Sequence, residues 1–264
     1  MLKNLLLLSF SLVINPVYAQ GNLRMSTTTS TENSGLLKVL NPAFEKRHNV
    51  HLNIIAVGTG KALRLGENGD VDVVFVHAPG AELKFVKDGF GTDREAVMHN
   101  DFVLIGPQSN PAYIAIDQPI TSALQSVSQT QAVFISRGDD SGTHKKELSL
   151  WQQASITPTQ PWYLEVGQGM GAVITMADEK LAYTLTDRGT YLAFKDKIDL
   201  VILNEGDKAL FNPYHIITVN PAKHKHVQYD MAKKYIEFVT GTEGQALIGA
   251  YKKHGEQLFY PDAL

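Results

Sequence analysis

The stretch that decides the fold reads Ser136-Arg137-Gly138-Asp139-Asp140-Ser141-Gly142-Thr143. An apolar run over residues 132–135 precedes it and predicts a buried strand, and the segment 143–154 that follows predicts a helix. The stretch is therefore a strand-to-helix turn with one arginine, small hydroxyl side chains and glycines. Because several backbone N–H groups at a helix start have no intrahelical partner, such a turn suits an anion.

Arg137 leaves two interpretations of this turn open. Its guanidinium can offer two donors to two oxygens of one ligand, which favours a pocket for a small tetrahedral oxyanion. The other interpretation is an ordinary capped helix with Arg137 in a surface ion pair. The turn taken alone does not separate them.

The composition excludes several classes of protein. The chain has 264 residues and a formal net charge of −3, so no general basic field indicates binding to nucleic acid. The chain contains no cysteine, which excludes disulfides, thiolate metal sites, a cysteine nucleophile and a lipid-modified cysteine. An anionic ligand must therefore be attracted by local groups.

The first residues predict export. Lys3 gives a basic start, residues 5–14 are apolar, Pro16 breaks the run, and Ala19 ends a small-residue cleavage pattern. We interpret residues 1–19 as a cleaved signal peptide, because the apolar run is too short for a membrane span. The sequence thus predicts a periplasmic protein.

The remaining chain alternates between strand and helix patterns, which predicts an α/β fold. Turns rich in hydroxyls or glycine follow strands in both halves of the chain, at residues 27–30, 58–60, 136–143 and 167–171. In open α/β sheets, ligands bind at the carboxyl ends of strands. We therefore expect two lobes that face each other across a cleft and bring these turns together.

Local patterns give further expectations. Thr29 and Glu32 have the spacing of a capping box, which predicts Thr29 as the cap of the first helix. A short helix is predicted over residues 61–65, ended by Gly66, and a last helix over residues 242–253. The segment 110–130 is expected to be irregular.

Six stretches together resemble the tungstate-binding periplasmic proteins of Tup-type ABC importers. They are residues 27–30 (Thr-Thr-Thr-Ser), 57–60 (Val-Gly-Thr-Gly), 76–79 (Val-His-Ala-Pro), 136–148, 167–172 and 183–191. The resemblance implies a two-lobed type II periplasmic-binding-protein fold with two crossing strands. It places lobe I at residues 20–106 plus 212–264, and lobe II at residues 107–211.

The resemblance also implies a function. The chain would be the periplasmic solute-binding component of an ABC importer, not an enzyme, with a permease and an ATPase subunit as partners. It would bind tungstate or molybdate as an oxyanion, without a cofactor and without metal-ligating side chains. The implied ligand-binding residues are Thr28, Thr29, Ser30, Thr59, Arg137, Ser141, Gly142 and Thr143.

His77 is a departure from the related phosphate-binding proteins, which typically have an aspartate just before Ala-Pro. A carboxylate would repel a fully deprotonated dianion at close range, whereas a histidine would not. His77 therefore favours tungstate or molybdate over phosphate; the alternative is that His77 ends its strand without touching ligand. Of Asp139 and Asp140, one is expected to brace Arg137.

Two alternatives to the tungstate reading stay open. One is a phosphate or sulfate binder of the same fold, and the other is a secreted phosphate-ester enzyme that uses Arg137 to hold phosphate. Known catalytic motifs do not fit: residues 58–62 lack the complete phosphate-loop pattern, and Asp139 stands where a nucleophile elbow needs glycine. The pairs His48 with His51 and His224 with His226 are interpreted as solvated rather than metal-binding.

Overall fold

The computed structural model describes residues 21–263. The predicted signal peptide, residues 1–19, lies outside this range. No helix between residues 21 and 263 has the length and apolar character needed to cross a membrane.

The strands, in chain order, are β1 (Gly21–Thr28), β2 (Val50–Val57), β3 (Val73–Val76), β4 (Gly91–Gly106), β5 (Phe134–Ser136), β6 (Tyr163–Glu165), β7 (Thr184–Asp187), β8 (Val201–Asn204), β9 (Phe211–Val219), β10 (Lys252–Lys253), β11 (Glu256–Gln257) and β12 (Tyr260–Pro261). The helices are α1 (Thr29–Ser34), α2 (Leu37–His48), α3 (Thr59–Asn68), α4 (Pro79–Lys87), α5 (Ile120–Thr130), α6 (Gly142–Gln153), α7 (Met170–Glu179), α8 (Arg188–Phe194), α9 (Tyr229–Thr240) and α10 (Thr242–Ala250). Short 3₁₀ turns cover Lys195–Lys197 and Lys208–Leu210.

The first sheet has the strand order β12-β4-β9-β3-β1-β2. Strands β1, β2 and β3 are parallel, with Thr28 opposite Val57 and Thr27 opposite Phe75. Strand β9 runs antiparallel to β3, with His215 opposite Val76. The carboxyl ends of the three parallel strands therefore share one edge of the sheet.

Strand β4 is long enough to belong to two sheets. Its first part pairs with β9 as far as Asp101 opposite Phe211, and its last part pairs with β7 from Phe102 opposite Asp187. The last part also pairs with β8. The backbone thus passes from one sheet to the other between Asp101 and Phe102. The boundaries of the two predicted lobes stay a prediction.

Strands β5 and β6 extend the second sheet. They are parallel to each other, and a bridge between Phe134 and Tyr183 places β5 parallel to the chain that leads into β7. Backbone bonds from Ile135 N to Tyr183 O and from Tyr183 N to Val133 O, both 2.8 Å, secure this pairing. The carboxyl ends of β5, β6 and β7 consequently share an edge.

Both sheets are covered on both faces, because successive buried residues of their central strands pack into different apolar clusters. In β3, Phe75 packs into one apolar cluster while Val74 packs into another on the opposite face. In β4, Leu104 and Ile105 separate in the same way. Continuous apolar strands with helices on both sides are the physical basis of an α/β fold.

Two local predictions about helix ends are wrong. The cap of α1 is Thr28, not Thr29, because the Thr28 hydroxyl oxygen accepts from the Thr31 amide at 3.2 Å. Helix α3 also runs through Gly66 and ends at Gly69. Gly66 is needed inside the helix, because Phe85 and Val74 pack so closely that an added Cβ would come within 2.9 Å of both.

The sequence patterns also missed two helices and extended a third too far. Helices α4 and α5 occupy segments where none was predicted, and α10 ends at Ala250 before a short antiparallel pair of strands. In α5 the buried residues Ile120, Leu124 and Val127 have helical spacing, so the sequence does carry the pattern of an amphipathic helix there.

Candidate functional site

The carboxyl edge of the first sheet lies beside the crossing strands. The side chain that follows β3 is His77, and its Nδ1 lies 3.0 Å from Oδ1 of Asn212, near the start of β9. Asn212 pairs with Asn100 of β4 in the ladder that joins the crossing strands. The turn after β3 is therefore held at the point where the chain passes between sheets, and the carboxyl ends of β1 and β2 share its edge.

The carboxyl edge of the second sheet lies at the same point. Asp187, the last residue of β7, pairs with Phe102 at the crossing. The next residue, Arg188, donates to both carboxylate oxygens of Asp101 at 2.7 and 2.6 Å. Lys146 of α6 donates to the carbonyl of Phe211 at 3.1 Å. Strand ends from both sheets therefore face the crossing strands.

Hydroxyl groups gather on the first edge around His77. Nε2 of His77 lies 3.1 Å from the Thr28 hydroxyl and 3.2 Å from the Ser30 hydroxyl. Thr28 is buried and also contacts the hydroxyl of Thr31 at 2.6 Å, whereas Ser30 is exposed. Ser30 is thus the group of this cluster that solvent, and hence a ligand, can reach.

The pKa of His77 lies below its usual value. Burial lowers this pKa, while the hydrogen bond to Asn212 and the carboxylates of Asp187 and Glu82 act in the opposite direction. The imidazole is accordingly neutral at neutral pH.

Arg137 and Asp139 form the charged part of the second edge. Arg137 Nε donates to Asp139 Oδ2 at 3.1 Å, and the Ser141 amide donates to Asp139 Oδ1 at 3.1 Å. Burial raises the pKa of Asp139, but the bonds from Ser141 and Arg137 leave it below its usual value. Asp139 is therefore a carboxylate that braces the guanidinium, as the sequence predicted for one of the two aspartates.

The start of α6 combines a side-chain cap with amides open to a ligand. The Ser141 hydroxyl accepts from the His144 amide at 3.3 Å, and the Lys145 amide donates to the Ser141 carbonyl. In the part of the chain that the structure describes, no hydrogen bond uses the amides of Gly142 or Thr143. These two donors, at the positive end of a twelve-residue helix, suit an anion.

Two further helices start at the same edges with glycine as their cap residue. Helix α3 follows Gly58 and helix α7 follows Gly169, and neither cap provides a side-chain bond to the first turn. Thr59, the first residue of α3, is half-buried. A glycine cap leaves the first amides free and adds no bulk between them and a ligand.

The structure brings the predicted site residues together in two groups. On the first sheet lie Thr28, Thr29, Ser30 and Thr59, and on the second lie Arg137, Ser141, Gly142 and Thr143. Within residues 21–263 no hydrogen bond links one group to the other, and no side-chain bond involves Thr29. The two groups are connected through the crossing strands rather than by direct contact. The ligand-binding role of each residue therefore stays a prediction.

Sequence reasoning noticed His77 but missed what holds it. Asn212 and Asn100 are buried amides on the crossing strands, and the Asn212 amide donates to Asn100 Oδ1 at 2.8 Å. No local motif surrounds either asparagine. Residues 21–263 contain no cluster of three or more His, Asp or Glu side chains placed to hold a metal ion.

Comparison with known proteins places this arrangement in a family. A model described as a PBP superfamily domain matches residues 18–243. The chain belongs to the PBP superfamily. The predicted α/β class and periplasmic-binding-protein fold are thereby confirmed.

Within the PBP superfamily, the most informative relatives are named for tungstate. The chain is 46% identical to the tungstate-binding protein TupA of Peptoclostridium acidaminophilum over 95% of its own length and 89% of that protein. A solved tungstate-binding protein TupA from Desulfovibrio alaskensis matches with 48% identity and a TM-score of 0.88, covering 92% of this chain and 100% of that one. The resemblance to the tungstate-binding family is confirmed.

A second solved PBP-superfamily structure gives the same result at higher identity. It is described as the tungstate ABC transporter from Geobacter sulfurreducens and is 60% identical, with a TM-score of 0.79, over 89% of this chain and 100% of that one. These relatives are named as binding proteins and transporter components, not as enzymes.

Proposed function

We propose that this chain is the tungstate-binding component of an ABC importer. The observation that carries the proposal is its 46% identity, over 95% of its length, to a protein named for binding tungstate. The strand ends support it, because they gather hydroxyls and open helix-start amides at two edges beside the crossing strands, with Arg137 on the second edge.

The chemistry of these groups suits an oxyanion of charge −2. Burying such an ion without countercharge is costly, so a charged donor and several neutral donors are needed together. Arg137 supplies the charge and a planar fork, and the first turns of α3, α6 and α7 supply amides. Ser30 and Thr59 add hydroxyl donors. All these groups donate to the oxygen atoms of the ligand, so the metal atom of tungstate needs no protein ligand.

Selection among dianions of equal charge rests on size in this proposal. Sulfate is smaller than tungstate, so a pocket that closes around tungstate leaves sulfate with longer hydrogen bonds. Molybdate has nearly the same size as tungstate and is expected to bind as well. Closing of the two sheets about the crossing near Asp101 would complete the shell of donors.

The cellular setting follows from the same reading. Residues 1–19 would direct export and be removed, and the mature protein would act in the periplasm. Its partners would be a membrane permease and an ATPase subunit, to which the closed form delivers the anion. We infer a binding role without catalysis, supported by relatives that are named as binding proteins.

One titration series tests this proposal against both alternatives. The mature chain is titrated calorimetrically with tungstate, molybdate, sulfate and phosphate, and phosphate-ester hydrolysis is assayed in parallel. Tight binding of tungstate with no turnover is expected. A preference for phosphate or sulfate would support the alternative binder, and ester turnover would support the enzyme.

A further inference from the structure

The arginine turn, residues 137–141, has a backbone that needs support. Gly138 and Asp140 both have left-handed φ angles, of 58° and 57°. At Gly138 an added Cβ would come within 2.8 Å of Glu165 Cβ, so glycine suits that position in space as well as in conformation. Asp140 has a side chain, and such a residue keeps a left-handed conformation only where its surroundings hold it there.

His144, in the first turn of α6, provides that support. The Asp140 amide donates to His144 Nδ1 at 3.0 Å, and the His144 amide donates to the Ser141 hydroxyl at 3.3 Å. The exchange resembles a capping box, in which the third helical residue reaches back to an amide at the helix start, with an imidazole in place of a carboxylate. The His144 side chain is buried, so its ring is held in place against the turn.

The bond from Asp140 also fixes the tautomer of His144. A backbone N–H can only donate, so Nδ1 holds a lone pair and the hydrogen of the neutral ring is on Nε2. Among the described residues Nε2 has no hydrogen-bond partner, and Oε1 of the exposed Glu165 side chain, at the end of β6, lies 3.5 Å from it. A ring with hydrogens on both nitrogens has no acceptor for the Asp140 amide.

Two side chains thus take up the two amides that precede α6. His144 accepts from Asp140, and Asp139 accepts from the Ser141 amide at 3.1 Å while it also braces the guanidinium of the turn. The next amides along the chain, at residues 142–143, are the ones left for a ligand. The direction of these amides and the orientation of the guanidinium therefore depend on the same short loop, which the His144 ring closes.

We propose that His144 is a positioning residue for the oxyanion, whose neutral ring holds the arginine turn in its binding conformation by accepting the Asp140 amide. The inference rests on the proposed tungstate-binding function and requires no contact between His144 and the ligand. Without the ring nitrogen, the left-handed residue loses its support and the turn populates other conformations. The affinity falls by the fraction that remains competent, about tenfold if that fraction is about one tenth.

Two substitutions of His144 separate the hydrogen bond from the bulk of the ring. His144→Leu removes the acceptor and should weaken tungstate binding about tenfold or more, because the Asp140 amide loses its partner. His144→Asn brings a side-chain oxygen near the place of Nδ1 and should recover most of the affinity. His51→Leu is the matched control and should bind within about twofold of the wild type, since His51 is exposed near the amino end of β2. Calorimetric titration measures all four proteins, and circular dichroism checks that each is folded.

The comparison of the variants distinguishes positioning from a merely structural role. A folded His144→Leu variant with the wild-type affinity would overturn the inference. An asparagine variant that binds as weakly as the leucine variant would overturn it too, because the lost acceptor would then not be the cause.

A measurement on the unaltered protein applies even when His144→Leu does not fold. Long-range ¹⁵N–¹H NMR spectra at neutral pH should show a hydrogen on Nε2 of His144 and a bare Nδ1. A hydrogen on Nδ1, in the other tautomer or in an imidazolium, would refute the bond from Asp140 and with it the inference.

The outcomes also separate this inference from the proposed function. A wild-type chain that binds no tungstate contradicts the proposed function and the positioning role that rests on it. A wild-type chain that binds tungstate, together with any of the overturning results for His144, contradicts the positioning role alone.

Discussion

The Asp139 carboxylate lies against the Arg137 guanidinium, two residues away, and both side chains are largely buried at the start of α6. The pair holds the guanidinium in one orientation before any ligand arrives. Asp140, by contrast, is exposed and faces Lys145. Because the two neighbouring aspartates differ in this way, separate substitutions of each can test how the arginine turn binds an anion.

Arg137→Glu should abolish tungstate binding, because it replaces the one charged donor of the turn by a group that repels the anion. Arg137→Lys should keep the charge but lose the planar fork, weakening binding about tenfold, or ~1.4 kcal/mol. Isothermal titration measures both. Lys46→Glu is the control for the change in net charge, since Lys46 is exposed in the last turn of α2. Tight binding by Arg137→Glu would refute the site assignment.

Asp139→Asn should weaken tungstate binding about tenfold, because the arginine side chain loses the partner that fixes its orientation, and each Arg has about 2 kcal/mol of rotamer entropy to lose. Asp140→Asn, a neighbouring change of equal charge, should leave the affinity within about twofold. Comparing the dissociation constants of the two variants shows whether the Asp139 carboxylate supports the arginine or repels the anion. Tighter binding by Asp139→Asn would mean that the carboxylate opposes the anion rather than supporting the arginine.

Glu82→Gln should reduce the free energy of unfolding by about 3–5 kcal/mol, as expected when one member of a buried ionic cluster is removed. The Glu82 carboxylate is fully buried and accepts from the Ala78 amide at 2.5 Å and from Arg94 at 2.8 Å. Urea denaturation measures the loss. Asp88→Asn, which breaks an exposed pair with Lys84, is the control and should cost less than about 1 kcal/mol. Equal losses for the two variants would contradict this account.

Glu147→Gln should remove a pH dependence of stability. Burial raises the pKa of Glu147 from its usual 4.5 to about 7, although Tyr163 and Trp151 donate to its carboxylate. Between these two values the folded chain holds a proton that the unfolded chain has released. The free energy of unfolding should therefore fall as the pH rises through this window, by about 1–3 kcal/mol, and then level off.

Urea denaturation across this pH window, for wild type and Glu147→Gln, measures the difference between the two slopes. The glutamine resembles the protonated acid and keeps an acceptor for Tyr163, so it should be the more stable form above about pH 7. Glu179→Gln is the control, since Glu179 is exposed and lies at the end of α7. Parallel curves for wild type and Glu147→Gln would rule out a buried carboxyl that titrates there.

Much of the architecture could be predicted from the sequence, because it rests on local patterns. The apolar run that ends at Val76 and the glycine-rich turns at 58–60 and 167–171 mark strand ends and helix starts without reference to the rest of the chain. Helix α5 was missed because its serine, threonine and glutamine content was given more weight than the helical spacing of its buried residues. Gly66 was taken for a helix end because its packing against Phe85 is not a local property.

By itself, the sequence determined the kinds of donor at the candidate site and the turns that present them, since a hydroxyl or a guanidinium has its chemistry wherever it stands. Only the tertiary structure decided which of them are braced, buried or reachable. His77 and Asn212 are 135 positions apart, and the bond between them depends on the register of β3, β9 and β4. Register is set by the packing of whole sheets, so the contact between His77 and Asn212 could not be predicted from local sequence.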